Sequence, residues 1–262
     1  MSEQLPQEEI QVEVGPYVLK TTIAGSGPPV VLVHGLGTSR LTWKRNLEQL
    51  SRCARVYAPD LPGFGESEGP WPPLPARGHA EVLAGWCQAI GLERAAFVGH
   101  SMGGEVILWL AIDQPALASR LVLAASTGGS TKKRVWRRFG RLLIDGAREP
   151  ATFLPTLLGA YWKAGPWTIY RTAHATDPAP LRRELHRIEV PTLVAWGDRD
   201  PVISREEAEH MAHRLPAGRL AVIEGGAHGL IFDAPEAFNA LVCEFLELPA
   251  PMETGRAPDS AR

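Results

Sequence analysis

The stretch Ala96-Phe97-Val98-Gly99-His100-Ser101-Met102-Gly103-Gly104 decides the fold of this chain. It joins an apolar segment of strand type to a helical pattern through Gly-x-Ser-x-Gly, the sequence of a nucleophile elbow. So sharp a turn forces Ser101 into strained backbone geometry, and glycines at 99, 103 and 104 remove side chains that would collide. The pattern predicts a serine whose hydroxyl is lifted clear of a sheet.

A serine hydroxyl becomes a useful nucleophile only when an imidazole takes its proton. The chain has eight histidines. His228 lies in a glycine-flanked loop between the last predicted strand and helix, at the edge where parallel strands gather ligands. We therefore predict His228 as the base. The others are interpreted as structural or solvated: His34 and His100 in tight turns, His79, His210 and His213 on surface-facing helices, and His174 and His186 in a long insert.

The acid that orients this imidazole is expected after a neighbouring parallel strand at the same edge. The run Trp196-Gly197-Asp198-Arg199-Asp200-Pro201 offers two carboxylates. Asp198 directly follows the glycine, where a carboxylate commonly caps a turn, whereas Asp200 is carried farther over the strand end. The sequence therefore predicts Ser101, Asp200 and His228 as the catalytic set.

Strand and helix patterns alternate along most of the chain. An opening antiparallel pair is predicted at Ile10–Val14 and Tyr17–Ile23, and Pro29–Val33 is apolar throughout, as buried parallel strands are. The alternation predicts an α/β fold with a mostly parallel central sheet and helices on both faces. Further strands are predicted at Val56–Ala58, Leu121–Ala124, Val190–Trp196 and Leu220–Ile223, and helices at Leu41–Leu50, Ala80–Ile90 and after the capping box Ser204–Glu207.

The alternation stops between Thr127 and Arg187, an interval too long for a plain loop and with apolar periodicity of its own. We predict a helical cap over 127–187, inserted between core segments 1–126 and 188–248, and a disordered tail over 249–262. We predict that four aromatic residues of the insert form the wall of the substrate pocket, and the alternative is that they only pack the insert onto the core. These residues are Tyr161, Trp162, Trp167 and Tyr170.

The start of the insert, residues 131–143, carries six basic residues and no acidic one. On a helix its apolar residues share one face, which we interpret as packing on the core. Contact with an anionic membrane surface, which would bring lipid esters to the site, is the alternative interpretation.

Composition and charge argue against several other classes of function. A formal net charge of −2 over 262 residues gives no global field for nucleic acid, so no nucleic-acid partner is expected. The polar N-terminus lacks a signal-type apolar core, and no apolar run is long enough to span a bilayer, so a soluble, cytoplasmic protein is expected. Three cysteines, Cys53, Cys87 and Cys243, are interpreted as buried reduced thiols, and no metal or cofactor is predicted.

Several linked motifs resemble those of the α/β-hydrolase family of the Ser-Asp-His kind, over all but the two tails. They are His34-Gly35-Leu36-Gly37, the segment Asp60–Ser67, the elbow, the turn ending at Asp200, and Gly226-Ala227-His228. The order serine, aspartate, histidine is the order of this family. The resemblance implies that the backbone N–H groups of Leu36 and Met102 form an oxyanion hole and that the Asp60 loop is structural.

The resemblance also bears on the reaction. Haloalkane dehalogenases and epoxide hydrolases place aspartate at the elbow, where this chain has Ser101. Carbon–carbon bond hydrolases typically show a glycine-rich oxyanion loop and a His-Trp pair, whereas here Gly229 follows His228. We therefore favour hydrolysis of a small-molecule carboxylic ester through an acyl-enzyme. Carbon–carbon hydrolysis, lactone hydrolysis and a ligand receptor on the same scaffold remain the alternatives.

Overall fold

Residues 6–129 and 154–249 are described by the structure, which is a computed structural model. The amphipathic segment 131–143 and residues 250–262 of the predicted tail lie outside the described residues. In the described part of the chain, no helix combines the length and the apolar character needed to cross a membrane.

One eight-stranded sheet organises the chain, in the order β1-β2-β4-β3-β5-β6-β7-β8. β1 pairs with β2 and β2 with β4 in antiparallel fashion, and every other neighbouring pair is parallel. The α/β-hydrolase fold with a mostly parallel sheet is therefore confirmed. The strands are β1 (Gln7–Val14), β2 (Tyr17–Ala24), β3 (Pro29–Val33), β4 (Arg55–Pro59), β5 (Ala95–His100), β6 (Ala118–Ala124), β7 (Thr192–Gly197) and β8 (Gly218–Ile223).

Helices cover both faces of this sheet. The strand side chains alternate between the two layers, so that Val31 and Val33 join one apolar cluster while Val30 and Leu32 join the other. α2, α3 and α7 contribute to the first cluster, and α1, α8 and α9 to the second. The described helices are α1 (Lys44–Leu50), α2 (Ala76–Ala89), α3 (Met102–Asp113), α4 (Leu154–Ala164), α5 (Pro166–Ala175), α6 (Pro178–Glu184), α7 (Arg205–Arg214), α8 (Leu230–Asp233) and α9 (Pro235–Phe245).

The region between β6 and β7 contains α4, α5 and α6, where the sequence predicts a helical cap. Its division from the core as a separate unit stays a prediction. The capping box that opens α7 is present: Ser204 Oγ accepts from the Glu207 N–H, and the Glu207 carboxylate accepts from the Ser204 N–H at 2.9 Å.

The predicted helix Leu41–Leu50 is wrong in its first turn, which is a 3₁₀ turn over Arg40–Trp43 that leads into α1. The first residue of this turn, Arg40, is held by the buried Asp60 carboxylate. The Arg40 N–H donates to Asp60 Oδ1 at 2.6 Å and the guanidinium donates to Oδ2 at 2.5 Å. The Asp60 loop is thus tied to the segment that follows the predicted oxyanion loop.

The prediction of a surface-facing His79 is also wrong. α2 begins at Ala76 rather than at Ala80, and His79 is fully buried beside Phe64. Burial lowers the pKa of His79 to about 3, so the imidazole is neutral.

Candidate active site

The elbow places Ser101 in the backbone conformation that the motif predicts. Ser101 has φ of 52° and ψ of −116°, a region that non-glycine residues rarely occupy. A Cβ at Gly99 would lie 2.4 Å from Gly103 O, and one at Gly103 would lie 2.2 Å from Val33 O. Only glycine fits such close backbone approaches, so the strain at Ser101 is held by the packing of β3, β5 and α3.

His228 lies beside this serine, in the loop between β8 and α8. Its Nε2 is 3.1 Å from Ser101 Oγ and its Nδ1 is 3.0 Å from Asp200 Oδ2. A carboxylate accepts only, so Nδ1–H donates to Asp200 and the Nε2 lone pair accepts from the Ser101 hydroxyl. This tautomer is the one that can take a proton from Ser101.

The two candidate acids, Asp200 and Asp198, have different hydrogen-bond partners. Asp200 has a fully buried side chain whose Oδ1 accepts the N–H groups of Val202 and Ile203 at 2.7 and 3.0 Å, leaving Oδ2 for the imidazole. Asp198 is exposed, and its Oδ1 accepts the Gly225 N–H at 2.7 Å. The structure therefore brings Asp200, and not Asp198, to His228.

His100 supports the loop of His228, a role that sequence reasoning did not assign. Its Nε2–H donates to the backbone carbonyl of His228 at 2.9 Å. Burial, followed by the nearby His228, lowers the pKa of His100 to about 3 and keeps this ring neutral. Its position next to Ser101 in the elbow was the only signal in the sequence.

The predicted oxyanion donors, Leu36 and Met102, belong to the two segments that border Ser101. Met102 is the first residue of α3, a position whose N–H has no intrahelical acceptor. Leu36 lies in the loop after β3 and lines the same cavity as Ser101. The loop passes close to the serine, since a Cβ at Gly35 would lie 3.3 Å from Ser101 Cβ. The role of both N–H groups stays a prediction.

A small cavity of about 40 Å³ opens beside Ser101 and His228. Of the four aromatic residues predicted for the pocket, Tyr161 lines it and the other three do not. Sequence reasoning missed most of the lining, although Leu157 lies one turn before Tyr161 and the helical period could have identified it. Besides Ser101 and His228, the lining includes Leu36, Thr38, Thr42, Leu157, Tyr161 and Phe232.

Trp162, Trp167 and Tyr170 do not line this cavity, and their part in a pocket wall stays a prediction. Trp162 follows Tyr161 on α4, and a step of one residue turns its side chain away from the cavity, leaving it 88% exposed. Trp167 and Tyr170 stack on each other on α5, with ring centroids 5.8 Å apart, and both are exposed.

A buried carboxyl group lies behind the elbow. Glu105, in the first turn of α3, accepts a hydrogen bond from the Thr127 hydroxyl through Oε1. Its Oε2 has no hydrogen-bond partner among the described residues. Burial raises the pKa of Glu105 to about 7, against the opposing hydrogen bond from Thr127.

Glu105→Gln is expected to reduce the pH dependence of stability. Between its unfolded pKa of 4.5 and its folded pKa of about 7, the folded chain holds a proton that the unfolded chain has lost. The free energy of unfolding therefore falls as pH rises through this window, by on the order of 3 kcal/mol, and stays lower above it. Glutamine cannot ionise, so Tm should change less between pH 5 and pH 8 than in the wild type. Glu93→Gln is the control, because Glu93 is exposed. If the Tm of Glu105→Gln changed between pH 5 and pH 8 as much as the Tm of the wild type, the raised pKa of Glu105 would be contradicted.

Across residues 6–129 and 154–249, no three histidine, cysteine or acidic side chains lie together as metal ligands would.

Residues 30–241 match the profile of the Alpha/beta hydrolase family. A pimeloyl-[acyl-carrier protein] methyl ester esterase of Edwardsiella ictaluri is 29% identical over 244 residues, which cover 83% of this chain and 93% of the relative. A 2-hydroxy-6-oxo-2,4-heptadienoate hydrolase of Pseudomonas putida is 29% identical over 269 residues, which cover 90% of this chain and 98% of the relative. The structure of a thermophilic esterase from Thermogutta terrifontis has a TM-score of 0.78 at 26% identity, and the match covers 92% of this chain and 98% of that one.

Proposed function

The chain belongs to the alpha/beta hydrolase family, and on that premise we propose that it hydrolyses a carboxylic ester through an acyl-enzyme on Ser101. The observation that carries the proposal is the continuous contact from Ser101 Oγ to His228, at 3.1 Å, and from His228 to Asp200, at 3.0 Å. The similarity to esterases of two different organisms supports an ester substrate.

In the proposed mechanism, His228 Nε2 takes the proton of Ser101 as Oγ attacks the carbonyl carbon. The negative charge that develops on the carbonyl oxygen is stabilised by the N–H groups of Leu36 and Met102 and by the positive end of α3. His228 then protonates the leaving alcohol, and water, activated by the same imidazole, releases the acid. Asp200 holds the tautomer and stabilises the imidazolium in both half-reactions.

Carbon–carbon bond hydrolysis is the second candidate, because a hydrolase of that kind is as similar in sequence as the methyl ester esterase. The residue after His228 weighs against it. The resemblance puts tryptophan there in carbon–carbon hydrolases, but here it is Gly229, and a Cβ at that position would lie 2.3 Å from the Phe232 ring. The space that a side chain at position 229 would need is thus already filled by Phe232, which lines the cavity.

A panel of p-nitrophenyl esters, run beside 2-hydroxy-6-oxo-2,4-heptadienoate, tests the proposal. We expect repeated turnover of esters after a burst of about one product per Ser101, because p-nitrophenolate leaves readily and deacylation by water is then the slower step. The small cavity predicts a higher kcat/KM for acetyl and butanoyl esters than for octanoyl esters. Preference for the dienoate would favour carbon–carbon hydrolysis, and a single turnover would favour a ligand receptor.

Tyr161→Ala is expected to raise kcat/KM for octanoyl relative to acetyl esters by about tenfold, because it removes a large ring that lines the cavity beside Ser101. The Tyr161 ring lies against the oxyanion loop, since a Cβ at Gly37 would be 2.6 Å from Tyr161 Cε1. The neighbouring Trp162→Ala is the matched control, because that side chain is exposed and outside the cavity lining. Equal shifts in both variants, or a uniform loss in Tyr161→Ala, would contradict a role of Tyr161 in selectivity.

A further inference from the structure

Two cysteines that are 190 residues apart in the sequence have neighbouring sulfur atoms. Cys53 Sγ and Cys243 Sγ lie 3.8 Å apart, and both thiols are free. Cys53 lies in the turn between α1 and β4, and Cys243 lies on α9. The wide spacing of the cysteines along the chain therefore does not separate this pair in the fold.

The approach of the two sulfur atoms is set by the packing of α1 against α9. The Asn46 side chain donates to Asn239 Oδ1 at 2.8 Å, and the Asn239 side chain donates to Gln49 Oε1 at 2.7 Å. Asn239 and Cys243 are four residues apart on α9, so they share the face that meets α1. Hydrogen bonds between α1 and α9 that do not involve sulfur thus keep the two thiols close to each other.

The two thiols differ in access and in acidity. Cys53 is 4% exposed and also lies 3.3 Å from the carbonyl oxygen of Leu50, whereas Cys243 is only partly buried. The Cys53 S–H can donate to a thiolate at Cys243, which lowers the pKa of Cys243 to about 7. An accessible thiolate is the form that reacts with oxidants, and the buried neighbour is placed to resolve it.

We propose that Cys53 and Cys243 form an oxidation site at which a hydroperoxide converts the two thiols into a disulfide. The Cys243 thiolate attacks a peroxide oxygen, the O–O bond breaks, and the sulfur becomes a sulfenic acid as hydroxide leaves. The Cys53 sulfur then attacks Cys243 Sγ, the S–O bond breaks, and water leaves. In total two thiols and one hydrogen peroxide give one disulfide and two waters, so the two electrons lost by sulfur reduce the peroxide.

The disulfide would link two segments that lead from the candidate active site. α1 follows the loop that carries Leu36, and α9 follows His228 through the short α8. The bond would also close a loop of 190 residues, which restricts the unfolded chain and is expected to raise Tm by about 5 to 10 °C.

Peroxide treatment of the full chain, followed by alkylation of free thiols and non-reducing peptide mapping, tests the site. The variants are Cys53→Ser and Cys243→Ser. Cys87→Ser is the matched control, because Cys87 is fully buried on α2 and burial raises its pKa to about 12. We expect the wild type and Cys87→Ser to lose about 2 Da before alkylation and to give one peptide that links residues 53 and 243. The rise in Tm should appear in both and be reversed by dithiothreitol.

Cys53→Ser and Cys243→Ser should form no intramolecular disulfide and show no dithiothreitol-sensitive rise in Tm. The proposal is overturned if peroxide takes wild-type Cys243 to sulfinic acid without the linked peptide. It is equally overturned if the disulfides that form are between chains or involve Cys87. These outcomes do not depend on ester hydrolysis, so the oxidation site stands or falls independently of the proposed function.

Discussion

Ser101→Ala is expected to lower kcat for p-nitrophenyl ester hydrolysis by at least about 10⁴-fold, because the oxyanion donors and the base then lack a nucleophile to act with. Ser126→Ala is the matched control, since Ser126 is also buried and lies just after the neighbouring strand β6. We expect that variant to keep its activity within about tenfold of the wild type, a difference too small for a lost catalytic group. A Ser101→Ala enzyme with more than a few per cent of wild-type kcat would remove Ser101 from the mechanism.

Asp200→Asn is expected to lower kcat by about 10² to 10⁴-fold. An asparagine oxygen can still accept the N–H groups of Val202 and Ile203, so the loop keeps its anchor. The amide cannot stabilise an imidazolium at His228 as a carboxylate does, and it favours the wrong tautomer when its N–H faces Nδ1.

Asp198→Asn is the control for this charge change, because Asp198 binds the Gly225 N–H and does not contact His228. We expect kcat to fall by less than about tenfold, because this change can shift the loop but removes no charge that contacts His228. If Asp198→Asn were the more damaging change, the acid would have to be reassigned to Asp198.

The core of the fold and the relative placement of the candidate triad could be predicted from the sequence for one physical reason. Parallel strands end at a common edge, so residues that follow β5, β7 and β8 must lie near one another whatever their distance along the chain. Ser101, Asp200 and His228 each occupy such a position. The position of each residue after a parallel strand therefore predicts that the three lie close together, which composition alone does not.

Features that depend on how one helix is rotated against another could not be predicted in this way. Tyr161 and Trp162 are adjacent and both aromatic, and only the packing of α4 against the core decides which one reaches the cavity. His79 similarly shares the buried face of α2 with Ala80 and Leu83, and it is the packing of this helix that buries it. The contact between Cys53 and Cys243 arises from helix packing across 190 residues, for which no local pattern exists.

Labelling with a fluorophosphonate, followed by peptide mapping, tests the central claim most directly. This reagent reacts with a serine hydroxyl that an imidazole activates, and the contact between Ser101 Oγ and His228 Nε2 at 3.1 Å predicts one such hydroxyl. We expect a single adduct on the peptide that contains Ser101, loss of ester hydrolysis in proportion to labelling, and no adduct in Ser101→Ala. An adduct on another serine, or full esterase activity in protein labelled at Ser101, would contradict the account.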